Sequence, residues 1–392
     1  MTLNKKTKKI CIVVNSRANY ARVKSLLTAI NKNKKLELIL VLGASAMLYR
    51  FGEVDKVIKK DRFKVDETLF SVVEGNDLIG MSKTTGLSII ELSNVLQKKK
   101  PDLVVAIADR YENLSIAISA SYMNIPVAHI QGGETTGSID EKVRHAITKM
   151  SDIHFVSTKR AKSYVIKMGE SKSKVFLTGC PSIDLATNKN YNLSKNFFKK
   201  YGVGASVQPD ENYILVLQHP VTTEFNNAKA QIEETIEAIR IFCKKTNYKV
   251  IWLWPNIDAG SDIFSKKIRI FKEANPNFVR FIKNFTPEDY VKVMKNSKCI
   301  VGNSSSGIRE ASFLGVPVVN IGSRQSNRER GPNVIDVDYD RKKILKSILK
   351  QAGKKFKKST IYGTGSAGKQ IASILAKSNF TINKKLNKLD SD

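Results

Sequence analysis

No run of about 18 or more apolar residues occurs in this chain, so no segment has the length that a membrane-spanning helix requires. Cysteine is scarce and scattered. Cys11, Cys180, Cys243 and Cys299 stand singly, with no CxxC pair and no zinc-type spacing. Cys11, Cys243 and Cys299 sit in or beside apolar runs and read as buried free thiols. Acidic residues are short: 36 against 66 basic ones, a net charge of +30. The start, MTLNKKTKKI, has the charge of a secretion signal. The apolar run behind it (11–14) is too short, however, and no small-residue cleavage site follows. The expected location is therefore the cytoplasm, with no membrane partner.

The excess positive charge raises the question of nucleic acid. The lysines are spread over surface-type positions, as in 5–9, 98–100 and 354–358, and no basic helix with interleaved aromatics or nucleic-acid module is present. The field is that of a surface attracting anions in general, and no nucleic-acid partner is expected. A length of 392 residues with 42% apolar content suits two domains with cores of their own.

Strand-like runs alternate with helical patterns throughout, the pattern of parallel sheets with crossover helices. In the first half the expected strands are 10–14, 36–42, 103–108, 127–130, 153–157 and 174–177. Helices are expected at 20–31, 87–97, 113–123, 141–149 and 159–168. Residues 186–212 are polar and rich in Asn and Lys; they read as a linker with a short helix at 194–200. A second series follows, with strands at 213–218, 249–254, 278–281, 299–302 and 318–321 and helices at 231–245, 262–274, 287–296 and 308–314. The expected architecture is α/β: a Rossmann-like domain over 1–190 and another over 205–360, with a C-terminal helical segment, 365–392, joining the first. A ligand cleft is then expected between them, at the carboxyl ends of both sheets.

One motif misleads. Gly363-Thr-Gly-Ser-Ala-Gly368-Lys369 matches GxGxxG and most of a phosphate-binding loop. No strong strand precedes it, Gln370 stands where Ser or Thr belongs, and too little chain follows for a βαβ unit, so it reads as a turn capping the last helix. Strand ends carry more. The apolar run 103–108 stops at Asp109-Arg110, the next at His129-Ile-Gln131-Gly-Gly-Glu134, and Ser138-Ile-Asp140-Glu141 opens a helix with Arg144 and His145 on its first turns. Alone, Ser138 or Asp140 would read as a cap. Together, Asp109, Gln131 and Asp140 are expected to converge at one sheet edge. In the second half, strands end at His219-Pro220, at Trp254-Pro-Asn256-Ile-Asp258 and at Gly302-Asn-Ser304-Ser305-Ser306, the last opening a helix through Glu310. A hydroxyl-rich loop at a helix N-terminus suits a phosphate, though the serines alone would equally serve as caps. Glu310 is placed to accept from ribose hydroxyls, and Arg324 adds a cation at the next strand end.

These strings together resemble the UDP-N-acetylglucosamine 2-epimerase family, above all its hydrolysing branch. The stretches that carry the resemblance are SRANY (16–20), ADR (108–110), HIQGGETTGSIDEKVRHAITK (129–149), GCPSID (179–184), LQHPVTTE (217–224), WPNIDAGS (254–261) and GNSSSGIREASFLGVPVVNIGSRQ (302–325). The resemblance implies a fold like that of GT-B glycosyltransferases, UDP held mainly by the second domain, no cofactor and no metal, and a homodimer or homotetramer. It places Asp109, Gln131, Asp140, Glu134 and His219 at catalytic positions. Arg17, Arg110, His219, Asn256, Ser304, Ser305, Glu310 and Arg324 fall at UDP-sugar contacts. Gln131 stands where the animal enzymes of this branch have glutamate, and Asn19 where an aspartate is usual. Gln131 cannot be an acid or base, which leaves proton transfer to Asp109, Asp140 or Glu134. The implied reaction converts UDP-N-acetylglucosamine and water to N-acetylmannosamine and UDP through a glycal, in sialic acid synthesis. The same reaction on UDP-N,N'-diacetylbacillosamine is the near alternative, and a GT-B glycosyltransferase or a UDP-sugar-binding protein without turnover are the alternatives of other classes. An asparagine at 109 is expected to leave the fold intact.

Overall fold

The computed structural model describes residues 7–74 and 77–387. Lys5 and Lys6 of the basic start, and residues 388–392 of the expected C-terminal segment, lie outside them. Strands β1 (Lys8–Val14), β2 (Leu36–Leu42), β3 (Glu67–Thr68), β4 (Leu103–Ile107), β5 (Val127–Ile130), β6 (Ile153–Val156) and β7 (Val175–Leu177) form one parallel sheet in the order 3-2-1-4-5-6-7. Helices α1 (Arg17–Asn31), α2 (Val54–Lys60), α3 (Leu78–Lys99), α4 (Tyr111–Tyr122), α5 (Asp140–Met150) and α6 (Lys159–Lys167) accompany it. The central strand LVVAI is buried along its whole length, as an apolar strand must be when helices cover both faces.

A short helix, α7 (Pro181–Ala186), leads to the second sheet. Its strands are β8 (Val203–Gly204), β9 (Tyr213–Leu217), β10 (Lys249–Leu253), β11 (Val279–Ile282), β12 (Cys299–Gly302), β13 (Val318–Ile321) and β14 (Val334–Val337), in the order 14-13-12-9-10-11-8. All pair in parallel except β8, which runs antiparallel along β11. Helices α8 (Ala228–Thr246), α9 (Ser261–Ala274), α10 (Pro287–Asn296), α11 (Ser305–Ile308), α12 (Glu310–Leu314) and α13 (Arg341–Gln351) belong to this half. The last helix, α14 (Ala367–Lys377), returns to the first half, where Ile371, Ala372 and Leu375 join the core around α1. The strand order reverses beside β1 in one sheet and beside β9 in the other, which marks the crevice where such sheets hold ligands.

Several elements depart from expectation. Helix α3 begins at Leu78 rather than 87, because the Asp77 carboxylate caps it by accepting from the Gly80 N–H at 2.6 Å; Gly80, Gly86 and two threonines mask its first turns in the sequence. Strand β14 and helix α13 were not foreseen: the strand is half-exposed and the helix buries little beyond Ile344 and Ile348. The presumed linker carries Phe197 and Phe198 into the second core, and its short helix is a single 3-10 turn at Phe197–Lys200. The helix expected over 308–314 is broken at Arg309, so α11 has only four residues. The glycine-rich segment leads as a turn into α14, but the cap comes from outside it: Ser366 makes no side-chain cap, and Asp184 of α7 accepts from the N–H groups of Ala367 and Gly368 at 2.9 and 2.8 Å. All four cysteines are buried and free. Among the described residues no helix is long and apolar enough to cross a membrane.

Candidate active site

β1 ends at Val14, and Ser16 caps α1 by accepting from the Asn19 N–H at 3.2 Å. The first turn therefore projects Arg17 over the crevice, where its guanidinium donates to the carbonyls of Trp254 and Lys283 of the second half. Burial, reinforced by Arg110, brings it down to about 10. Arg22, further along α1, donates to Ser305 Oγ at 3.0 Å and lies 3.8 Å from Asp109 Oδ1.

β4 delivers Asp109 through a left-handed turn at Ala108 (φ 60°). The carboxylate is buried and pairs with Arg144 of α5, with Arg22, and with Arg328 of the second half at 3.6 Å. Burial alone would raise it, but these three arginines hold it well below the usual carboxylate range. Asp140, at the first position of α5, has a different environment. Its nearest cation is Arg324, at 3.6 Å. Burial, and then the Asp109 charge, push its carboxyl up to about 6 against that cation. Two carboxyls at one sheet edge are thus driven apart, one fixed as an anion and one poised near neutrality, which is the pattern that separates acid–base roles. Arg110 is locked by Glu112 (2.9 Å) and, across the crevice, by Asp258 (2.8 Å).

In the second half the Asn303 side chain ties two strand ends together. Its Oδ1 accepts from the His219 N–H at 2.7 Å and its Nδ2 donates to the His219 carbonyl at 2.8 Å. His219 Nδ1 accepts from the Asn256 N–H at 3.1 Å. Burial, with Arg324, Arg17 and Arg110 nearby, depresses the ring well below its ordinary value. The neutral ring therefore carries its proton on Nε2 and acts as a donor, not a base. Ser304 accepts from the Ser306 N–H at 3.3 Å, and Tyr290 lies 2.7 Å from Ser306 Oγ. Since α11 is so short, hydroxyls, backbone N–H groups and arginines, rather than a helix dipole, make this corner suit an anion. Glu310 follows with its Oε2 buried and unpartnered.

One cleft gathers Arg17, Asp109 and Arg110 from the first half with His219, Asn256 and Ser304 from the second. Ser305, Glu310 and Arg324 complete this wall, and Asp140 stands behind Arg324. The cleft encloses about 960 Å³ outside protein atoms, part of it open to solvent.

Gln131 and Glu134 are not on this wall. Gln131 lies at the same sheet edge as Asp109, since Ile130 of β5 pairs with Ile107 of β4, but its side chain does not line the cleft: with a left-handed backbone (φ 70°) and fully buried, it donates to Cys180 Sγ at 2.7 Å. Glu134 is clamped by Arg309 at 2.5 Å and Arg328 at 3.5 Å. Burial would raise it, but these cations and Arg144 bring it below its ordinary value. His145 pairs with Glu141 on the outer side of α5. Sequence reasoning missed Arg22, Tyr290 and Arg328, because none stands at a strand end and no spacing marks them.

Comparison with known proteins agrees with this geometry. A family model described as UDP-N-acetylglucosamine 2-epimerase matches residues 28–376. A UDP-N,N'-diacetylbacillosamine 2-epimerase (hydrolyzing) of Legionella pneumophila is 33% identical over 369 residues, 94% of this chain and 95% of that protein. A UDP-N-acetylglucosamine 2-epimerase of Neisseria meningitidis is 30% identical over 341 residues, 87% of this chain and 86% of that one. The crystal structure of the Methanocaldococcus jannaschii UDP-GlcNAc 2-epimerase in complex with UDP-GlcNAc and UDP superimposes with a TM-score of 0.77. It shares 21% identity and covers 94% of this chain and 100% of that one.

Proposed function

Because the chain belongs to the UDP-N-acetylglucosamine 2-epimerase family, we propose that it hydrolyses UDP-N-acetylglucosamine with inversion at C2, giving UDP and N-acetylmannosamine. The observation that carries this reading is the pair Asp109 and Asp140, held in opposite protonation regimes beside a cleft walled by both halves. Asp140 takes the C2 proton. The C2–H electron pair forms the C1=C2 double bond as the C1–O bond to UDP breaks and UDP leaves with the electrons. Water then adds across the glycal, hydroxyl to C1 and hydrogen to C2, on the opposite face at C2. Asp109 remains an anion that orients the sugar and water. The His219 Nε2–H, Arg17 and the Ser304–Ser305 corner donate to the departing pyrophosphate, where charge develops.

A second reading keeps this chemistry and changes the sugar to UDP-N,N'-diacetylbacillosamine; it rests on the Legionella relative. Incubation with each UDP-sugar in D₂O, followed by proton NMR, tests both. The expected result is UDP release without any acceptor, and a free sugar carrying deuterium at C2. A product without solvent deuterium sinks the elimination mechanism, and UDP release only after an acceptor is added indicates a glycosyltransferase.

The buried, unpartnered Oε2 of Glu310 is assigned to the ribose hydroxyls. Glu310→Ala is expected to weaken UDP binding by about 1–3 kcal/mol, the cost of lost charged hydrogen bonds. Calorimetry showing unchanged UDP affinity would remove Glu310 from the nucleotide site.

A further inference from the structure

Arg328 lies on the segment between β13 and β14, with only 3% of its side chain exposed. Its Nη2 is 3.6 Å from Asp109 Oδ2, and its Nε is 3.5 Å from Glu134 Oε2. Both carboxylates belong to the first half. The other groups facing Asp109 are Arg22 from α1, Arg144 and Asp140 from α5, His129 from β5 and, farther off, Arg309. Arg22 and Arg144 ride on the same half as Asp109 and accompany it wherever that half goes. Arg328 is carried by the opposite half, so its contact exists only while the two halves are together. Gluing the halves does not require this contact, since Arg309 already meets Glu134 at 2.5 Å. What Arg328 adds is a cation on the one Asp109 oxygen, Oδ2, that Arg144 also holds.

We propose that Arg328 is a positioning residue, through which the meeting of the two halves fixes Asp109 in its place and orientation beside the substrate. The inference rests on the reading that Asp109 serves the reaction on a UDP-sugar. Arg22 already secures the other oxygen, Oδ1. Loss of Arg328 therefore leaves Asp109 charged but held by first-half cations alone, with nothing from the opposite half to fix its orientation, and small displacements of a reacting group are costly in rate.

The test uses full-length Arg328→Gln, Arg328→Lys, Asp109→Asn and the Arg328→Gln/Asp109→Asn pair. For Arg328→Gln, kcat is expected to fall by about 10²-fold, with KM and the calorimetric Kd for UDP within a few-fold of the parent. Arg328→Lys, which keeps the charge, should recover part of the rate. In the Asp109→Asn background Arg328→Gln should cost no further rate, because the group it positions is gone. An unchanged kcat, an equal additional loss in the Asp109→Asn background, or a loss confined to UDP affinity overturns the proposal. Should the parent release no UDP from either sugar, the functional reading fails. The Arg328–Asp109 link is then decided by a thermal-unfolding cycle on the same variants with UDP bound: coupling supports it, and additivity overturns it.

Discussion

Asp109→Asn is expected to lose turnover by about 10²-fold or more, because the anion that orients the sugar and water is gone, while UDP affinity stays close to that of the parent. The nucleotide contacts assigned here come mainly from the second half, through Ser304, Ser305, Glu310 and His219, and none of them pairs with Asp109. Read from the sequence, the substitution is isosteric at a strand end and should leave the fold untouched. The structure changes that expectation. Asp109 is the anion that Arg22, Arg144 and Arg328 share, so the amide leaves buried cations short of their partner. Removing one member of such a buried set costs about 3–5 kcal/mol. The lower end applies, because Arg144 keeps Glu141 and Arg328 keeps Glu134. UDP-release assays, calorimetry and thermal unfolding together check the prediction. Turnover within a few-fold of the parent would show that the essential carboxylate lies elsewhere. A folded variant that loses UDP affinity would refute the division of labour between the halves.

Asp140→Asn should be equally inactive, with the opposite effect on stability. As the base, Asp140 must be ionised, so the rate is expected to fall as pH drops through about 6, where burial and the Asp109 charge place its carboxyl. Whatever activity remains in Asp140→Asn should no longer follow that limb. The folded-state value lies above the unfolded one of about 4. Ionising Asp140 therefore costs the folded state stability that was present at lower pH, and the cost develops between about pH 4 and about pH 6. The amide cannot ionise, so Asp140→Asn should unfold at a higher temperature than the parent at pH 7 and show little advantage near pH 4. Persistence of the acid limb in the variant would assign it to another group. A variant less stable than the parent at pH 7 would show that the Arg324 pairing outweighs burial and the Asp109 charge.

Much of this was legible along the chain. Continuous apolar runs such as LVVAI and YILVL can only be strands covered on both faces, and the residues just beyond them are where parallel sheets present side chains to a crevice. Asp109, His219, Asn256 and Ser304 were found by that rule. It failed where position along the chain does not settle direction. Gln131 follows its strand as Asp109 follows β4, yet its backbone turns it into the core against Cys180. Glu134 looks like a free carboxylate in the sequence and is an ion-pair partner in the fold. Elements whose stability comes from a few contacts rather than a strong pattern, such as β14 and α13, were likewise not visible in advance.

By itself the sequence determined the two α/β halves, the cleft between their strand ends and most of the residues on its wall, because hydrophobic periodicity and strand-end position are local properties. Only the tertiary structure decided what each charged group can do. Asp109 and Asp140 are the same residue type, 31 positions apart in the sequence. One is held ionised by Arg22, Arg144 and Arg328, and the other is raised by burial and by its neighbour's charge. Those arginines arrive from α1, from α5 and from the opposite half of the molecule. A carboxyl's protonation depends on distances of a few ångströms through a poorly screening interior, and such distances between segments far apart in the chain exist only once it has folded.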